Sequence, residues 1–385
     1  MRVTIRGLII LCFSILFIFT NWSQTVEEPI EFSNSRLSAL GGYHAALTDD
    51  IMTIFNNPAG FCSVPSEILL SEITLGITGP IFDVTGSLLN SSDDWEIAAA
   101  NLLQGIYASI DLVGPLSVAF IKNGFSFSFF NWADISFEPR GTLNLQALAM
   151  ENILLTTGYA YRIPIQNMAL DIGLQLKGIF RGTVTSFHSA LELMGILASE
   201  EYLSLLLDEK FLLSLGGGID AGLRYSIGER FAFGLVARNA YTPTWQNNYV
   251  SANEFWDTPE DTTSDEYGII PLDLSAGILF IPPLGIMHRY INNLKMMLDY
   301  NDILDFLTHP TTKRHWLLHL NLGLELNLLE ALFVRGGFSQ GLFCAGIGLD
   351  LSIFQINASM FGSELSAYPG VRPAYNMVIG FEFKL

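Results

Sequence analysis

From Leu318 to Asn327 the chain reads LHLNLGLELN. This sets Leu318, Leu320, Leu322, Leu324 and Leu326 on one face of an extended strand and His319, Asn321, Gly323, Glu325 and Asn327 on the other. Successive side chains of a strand point to opposite faces, so a period of two gives one face that prefers hydrocarbon and one that prefers water. The same dyad returns in Leu170, Ile172, Leu174 and Leu176 against Asp171, Gly173, Gln175 and Lys177. It closes the chain as Tyr375, Met377, Ile379, Phe381, Phe383 and Leu385, with Asn376, Gly380, Glu382 and Lys384 between them. One such run would suit a soluble β-sandwich. Many runs of about ten residues fit tilted strands that cross a membrane in roughly 9 to 11 residues.

About fourteen candidate strands can be drawn: 67–78, 106–121, 125–138, 148–163, 168–183, 211–227, 231–239, 270–281, 293–301, 316–328, 331–338, 341–353, 355–362 and 374–385. Their connections alternate in length. Those at Lys122 to Gly124, Pro164 to Asn167, Gly228 to Arg230, Leu329 to Glu330 and Phe354 are short, whereas 79–105, 184–210 and 240–269 are long. A bacterial barrel sorts its loops this way, with tight turns at one end and extended loops at the other, and a sandwich has no reason to. The two-residue connection Ser339 to Gln340 and the long one from Pro282 to Asn292 break the alternation.

The N-terminus reads as a secretory signal over residues 1–25: Arg2 and Arg6 supply charge, Gly7 to Phe19 an apolar core, and Thr20 to Thr25 a polar exit. An uncleaved anchor helix is the competing reading of the same stretch. Setting aside Arg2 and Arg6, 17 basic residues face 38 acidic ones, a net charge of −21. That acidity argues against nucleic acid as a partner, because phosphate binding needs a basic surface. Half the residues are hydrophobic, yet beyond the signal no run of about 18 apolar residues escapes Gly, Pro or polar interruption, which favours a barrel over membrane helices. Cys62 and Cys344, the two cysteines after the signal, are too few and too far apart to define a disulfide framework.

Between signal and strands lies SRLSALGGYHAALTDDIMTIFNNPAGF, Ser35 to Phe61. Gly41 and Gly42 permit positive φ and close backbone approach, and Asn56 to Gly60 is dense in turn formers, so this segment is expected to fold back compactly. With Ala39, Leu40, Gly41, Gly42, Ala45, Asp49, Asp50, Asn57, Pro58, Ala59 and Gly60 in this spacing, the chain resembles the FadL-type outer-membrane transporters of long-chain fatty acids, and among them an uncharacterised spirochaete branch. Asn57-Pro58-Ala59 corresponds to that family's NPA motif. The resemblance implies a hatch, residues 26–65, plugging a 14-stranded transmembrane antiparallel β-barrel, residues 66–385, and it implies passive uptake of long-chain fatty acids or similar hydrophobic molecules. Weaker likenesses continue in Ser226-Ile227-Gly228, Ala237-Arg238-Asn239 and Pro271 to Gly277.

Two features read as a route for an apolar solute. The segment Ser189 to Leu207 carries Leu191, Met194, Ile196, Leu197, Leu203, Leu206 and Leu207 in a pattern of short amphipathic helices, which either form a greasy groove or pack the loop onto the rim. In strand three, Phe130 and Trp132 fall on the otherwise polar face. They either line the bore, or a bulge after Phe129 returns them to the lipid side and weakens the pairing locally, which would suit a lateral exit. Lys177, Arg224 and Arg238 are candidates for receiving a fatty-acid carboxylate, against the alternative of structural ladders shared with other inward polar residues. Asp49 and Asp50 lack companions at metal-ligand spacing and read as turn caps. No histidine belongs to a nucleophile motif such as G-x-S-x-G, so no catalysis, metal or cofactor is expected. The expected setting is the bacterial outer membrane, with outer-membrane lipid, a hydrophobic ligand and, during biogenesis, the barrel assembly machinery as partners. A surface anchor or secretion-associated scaffold, and a general porin, are the alternatives.

Overall fold

A computed structural model describes residues 25–79, 107–139, 144–189, 208–259, 262–285, 289–308 and 313–385. Residues 1–24 of the signal expected over 1–25 and the apolar positions Leu191, Met194, Ile196, Leu197, Leu203, Leu206 and Leu207 lie outside them. Fourteen antiparallel strands run in chain order: β1 Glu67–Thr78, β2 in two halves, Ala108–Val113 and Val118–Lys122, β3 Phe125–Pro139, β4 Asn144–Ile165, β5 Met168–Ser189 and β6 Lys210–Ile227. Then come β7, Phe231–Tyr241 and Pro243–Tyr249, β8, Ser264–Ile269 and Asp273–Phe280, β9 Ile291–Tyr300, β10 Leu320–Leu328, β11 Leu332–Ser339, β12 Leu342–Asp350, β13 Phe354–Glu364 and β14 Pro373–Lys384. Each pairs with its neighbour, and β14 pairs with β1 from Asn376↔Thr78 to Lys384↔Leu69, which closes the sheet into a barrel. Among the described residues no helix is long and apolar enough to cross a membrane.

The dyad sorts as the sequence pattern requires. Ile73, Leu75, Ile172, Leu174, Leu322 and Leu324 are exposed on the outside, while Glu72, Thr74, Asp171, Gln175 and Glu325 are buried within. At one end the connections are tight. Asn123 and Gly124 between β2 and β3 take φ of 53° and 80°, and Leu329 and Glu330 between β10 and β11 take 52° and 65°, the left-handed pair that lets a two-residue turn follow the twist of its strands. Long connections gather at the opposite end, with Gln340 and Gly341 the short exception there and 281–290 the long exception among the tight turns.

Several strands are longer than the dyad alone suggested: β5 runs on to Ser189, β7 to Tyr249, and β8 begins at Ser264. Ladder pairing continues there past the point where outward residues are uniformly apolar. Strand β10 instead starts later, at Leu320, because Trp316–His319 winds into a 3-10 turn capped by His315, whose Nδ1 accepts the Leu317 amide at 3.3 Å. Leu318 is accordingly buried rather than on the outer face.

The bore is occupied by the chain's own N-terminal segment. Thr25–Val26 pairs in parallel with Gly268 and Ile269 of β8, and the chain then runs through Ser35–Ala39 (α1), Thr53–Asn56 (α2) and the 3-10 turn Pro58–Cys62 before entering β1. Helix α1 is capped by Asn34, whose side chain accepts the Arg36 and Leu37 amides. Its end explains Gly41-Gly42: Gly42 N–H donates to Leu37 O at 2.8 Å and Gly41 N–H to Ser38 O at 3.2 Å, a Schellman closure that needs positive φ. At Gly41 a Cβ would also stand 2.9 Å from the Phe338 carbonyl oxygen of β11.

Candidate functional site

The inner segment meets the wall through glycines on the inward face. A Cβ at Gly173 (β5) would lie 2.3 Å from the Ala59 nitrogen, at Gly222 (β6) 1.9 Å from the Asn57 side-chain oxygen, and at Gly234 (β7) 2.1 Å from the Ala45 carbonyl oxygen. Those strands are bare where the Asn-Pro-Ala turn rests. Asn57 holds that turn from both sides: its Oδ1 accepts the Ala59 amide at 3.0 Å, while its Nδ2 donates to Ala45 O at 2.7 Å and to Leu223 O of the wall at 3.2 Å. Pro58 opens the 3-10 turn, where a missing N–H costs nothing.

One flank of the bore carries charge. Arg36 of α1 is buried, bonding Asp49 Oδ2 at 2.9 Å, Asp50 Oδ2 at 2.5 Å and both oxygens of Glu325 on β10 at 2.8 Å. Lys295 of β9 bridges Asp49 and Glu325, and Arg335 of β11 donates to Glu325 at 2.8 Å. Burial acts to raise the Asp49 carboxyl, but the charges of Arg36 and Lys295 outweigh it and hold the group well below the usual carboxylate range. The same anions push Arg36 far above its ordinary value against the desolvation that would lower it. Asp50 also caps a turn, accepting the Met52 amide at 2.9 Å, as expected, but its pairing with Arg36 ties the segment together. A second clamp lies at His44, wholly buried, whose Nδ1 sits 2.6 Å from Asp299 Oδ2 of β9 and whose Nε2 sits 3.0 Å from Leu40 O.

The opposite flank is aromatic. The register of β3 on β4 runs unbroken from Phe125↔Tyr159 to Pro139↔Leu145, so β3 has no bulge after Phe129. Phe130 and Trp132 therefore face inward, both buried. They meet two rings of the inner segment: Phe32 is 4.9 Å from Phe130 and 5.5 Å from Trp132 between centroids, and Phe55 stacks on Phe32 at 4.3 Å and lies 5.0 Å from Phe130. Leu154 and Ile179 extend this apolar face along β4 and β5. Tyr43 joins its edge, its hydroxyl accepting the Phe32 amide at 3.1 Å, and burial pushes that phenol up to about 12.

The irregularity sits one strand over, in β2. Val113 pairs with Trp132 and Val118 with Phe129, so four residues of β2 stand against two of β3. Asn131 spans the gap, accepting the Gly114 amide on its carbonyl at 2.9 Å and the Leu116 amide on its side chain at 3.2 Å. Pairing is thinned directly beside the aromatic cluster.

The three candidate carboxylate receptors have partners. Lys177 bonds Asp220 at 2.7 Å and Asn239 at 2.5 Å. Arg238 bonds Asp273 at 2.7 Å and the Asn56 carbonyl at 3.3 Å. Arg224 bonds Ser63 at 3.0 Å and the Ala46 carbonyl at 3.2 Å, and of the three it alone borders a cavity of about 220 Å³ at the tight-turn end. Cys62 and Cys344 are free thiols. Sequence reasoning missed Arg36, Phe32, Phe55 and His44. Arg36 did leave a signal, as the single basic residue between Arg6 and Lys122.

A closed fourteen-stranded antiparallel barrel with an apolar exterior and its own N-terminal segment inside has a FadL-like fold. The chain is similar in structure to the toluene transporter TbuX of Ralstonia pickettii, with a TM-score of 0.51 at 12% identity, covering 94% of this chain and 99% of that one. The toluene transporter TodX of Pseudomonas putida aligns with a TM-score of 0.48 at 10% identity over 93% and 100% of the two chains, and a FadL homologue of Pseudomonas aeruginosa with 0.43 at 12% over 92% and 98%. At such identities the likeness is one of fold, and it does not reach the spirochaete branch. No protein-family model and no curated protein matches the sequence.

Proposed function

We propose that the protein sits in the bacterial outer membrane and passes hydrophobic molecules inward without an energy source, long-chain fatty acids being the cargo its opening segment favours. Residues 26–65 act as the hatch, and cargo moves when this segment shifts against the glycine-lined wall. The observation that carries the reading is the aromatic flank. A water-filled porin keeps a polar lumen, whereas here Phe130 and Trp132 turn into the bore, Phe130 against the rings of Phe32 and Phe55 and Trp132 edge-on to Phe32. Such a face costs solvation when wet and is relieved by an apolar guest. Toluene carriage is what the names of TbuX and TodX state of those proteins, and a greasy route of this kind accommodates aromatic as well as aliphatic cargo. Assembly of the barrel by the outer-membrane machinery and contact with outer-membrane lipid follow from the same reading.

The test is equilibrium binding of radiolabelled oleate and toluene by the purified protein in a maltoside detergent, with Phe130→Glu and Trp132→Glu beside the wild type. Saturable binding that the two charged variants abolish supports the reading. Large ohmic conductance in planar bilayers, with no saturable binding of either probe, defeats it in favour of a porin.

A further inference from the structure

At the tight-turn end a cavity of about 220 Å³ opens between β4, β6, β7 and β8, and its walls are of two kinds. Arg162, Arg224 and Arg230 line it together with the apolar Ala232, Leu279 and Ile281. The cation side is under-neutralised. Asp171, fully buried, is chelated by Arg162 at 2.6 and 2.8 Å and lies 3.6 Å from Arg224, so one carboxylate serves two guanidiniums. Ser63 of the inner segment fills in as a neutral acceptor, taking Arg162 at 2.6 Å and Arg224 at 3.0 Å. Arg230 has no ion-pair partner among the described residues, and Glu229 beside it on the exposed turn is the one anion of the lining itself, with Asp171 buried behind it. Three cations against two anions is unusual in a chain with a formal net charge of −19.

We propose that this cavity is a head-group site for an amphipathic anion, a carboxylate or phosphate monoester on an alkyl chain. The anion replaces Ser63 as the shared acceptor of Arg162 and Arg224, where charge-assisted bonds are roughly twice as strong as neutral ones. Arg230 supplies a third cation, and the first carbons lie against Ala232, Leu279 and Ile281. The volume is below the roughly 300 Å³ at which pockets begin to enclose a whole drug-sized ligand, so it takes a head and the start of a tail. Because Ser63 closes the inner segment, displacing it connects occupancy of this site to release of that segment. The inference rests on the uptake reading and gives it a direction, with an acid held head-first at the end opposite the long loops.

Binding of dodecanoate, dodecyl phosphate and dodecanol to the full-length protein in a maltoside detergent separates the possibilities. The wild type is expected to hold at least one of the two anions about tenfold more tightly than the alcohol, the margin of a charge-assisted over a lost hydrogen bond. Whichever anion is held more tightly identifies the head group. Ala232→Trp, which fills the cavity, removes the margin, and Arg230→Gln, at an exposed position, reduces it severalfold. Heat-modifiable migration on a gel reports that each variant is a folded barrel. Equal affinity for all three probes in the wild type, or a margin untouched by Arg230→Gln in a folded barrel, overturns the site and leaves uptake standing. Failure to bind any of the three overturns both.

Discussion

Replacing Arg36 by Met offers the sharpest test of how the inner segment is held. The cluster around it contains three cations, Arg36, Lys295 and Arg335, and three anions, Asp49, Asp50 and Glu325, so it is neutral as it stands. Methionine keeps much of the bulk and removes one positive charge from a site that is 6% exposed. Breaking a buried ion pair by removing one partner costs about 3–5 kcal/mol, because the other charge is left without compensation. Wall strands do not depend on this bond, since their ladders close through β1 and β14. The cost therefore falls on opening of residues 26–65, whose opening equilibrium is expected to rise by about two to four decades at 1.36 kcal/mol per decade. Peptide-resolved hydrogen exchange reads this directly: protection of Ser35 to Asp50 drops while that of β5 and β6 stays. Arg36→Met combined with Asp49→Asn restores charge balance and recovers part of the protection. If exchange in the segment is unchanged in Arg36→Met, or if wall and segment lose protection together, the cluster is not what retains the segment.

Gly173→Ala and Gly234→Ala place a methyl within 2.3 Å and 2.1 Å of inner-segment backbone, so they are expected to lift the Asn-Pro-Ala turn and raise bilayer conductance, whereas Gly178→Ala, with its nearest neighbour at 4.0 Å, leaves conductance unchanged. Migration on a gel should be identical with and without reductant, since Cys62 and Cys344 are both free. Acid should loosen the segment around Asp49. Asp49 has a depressed value in the fold, so its contribution is present above the ordinary value of 3.8 and is lost as pH falls below it toward the folded value. Hydrogen exchange corrected for intrinsic rate should show residues near Asp49 loosening toward pH 3, and exchange there that does not change between pH 5 and pH 3 would refute the assignment.

The wall was readable because each strand carries its own instruction. In 168–177 and 374–385 the alternation of one strand names both faces without reference to any partner, and hairpin turns such as Asn123-Gly124 are equally local. What alternation cannot state is how far a ladder continues once its outer residues become polar, and β7 and β8 ran past their expected ends for that reason. The question of Phe130 and Trp132 was open for a related cause: a bulge is a property of a pair of strands, and it lies in β2, at Gly114 to Ser117, rather than in β3. The inward glycines were visible as members of the polar face but had no explanation there. Their reason is the body of Pro58, Asn57 and Ala45 more than a hundred residues upstream. Arg36 is similar, since its partner Glu325 is 289 positions away. Turn chemistry around Gly41-Gly42 and Asn57-Pro58-Ala59 could be read locally, while the arrangement that makes these turns a filling for the bore could not.

The seam of the barrel joins the two strands most distant in sequence, and β1 is the immediate continuation of the enclosed segment. The order of events during biogenesis is thereby constrained. Residues 26–65 are made before the strands that surround them and gain a complete wall only when β14 reaches β1. A barrel that zipped before Arg36 had met Glu325 would have to admit the segment through the open end of a ring of fourteen strands. Slow capture of the segment would then be seen as a population of closed, protease-sensitive barrels, with the rate of maturation set by residues 26–65 rather than by the sheet.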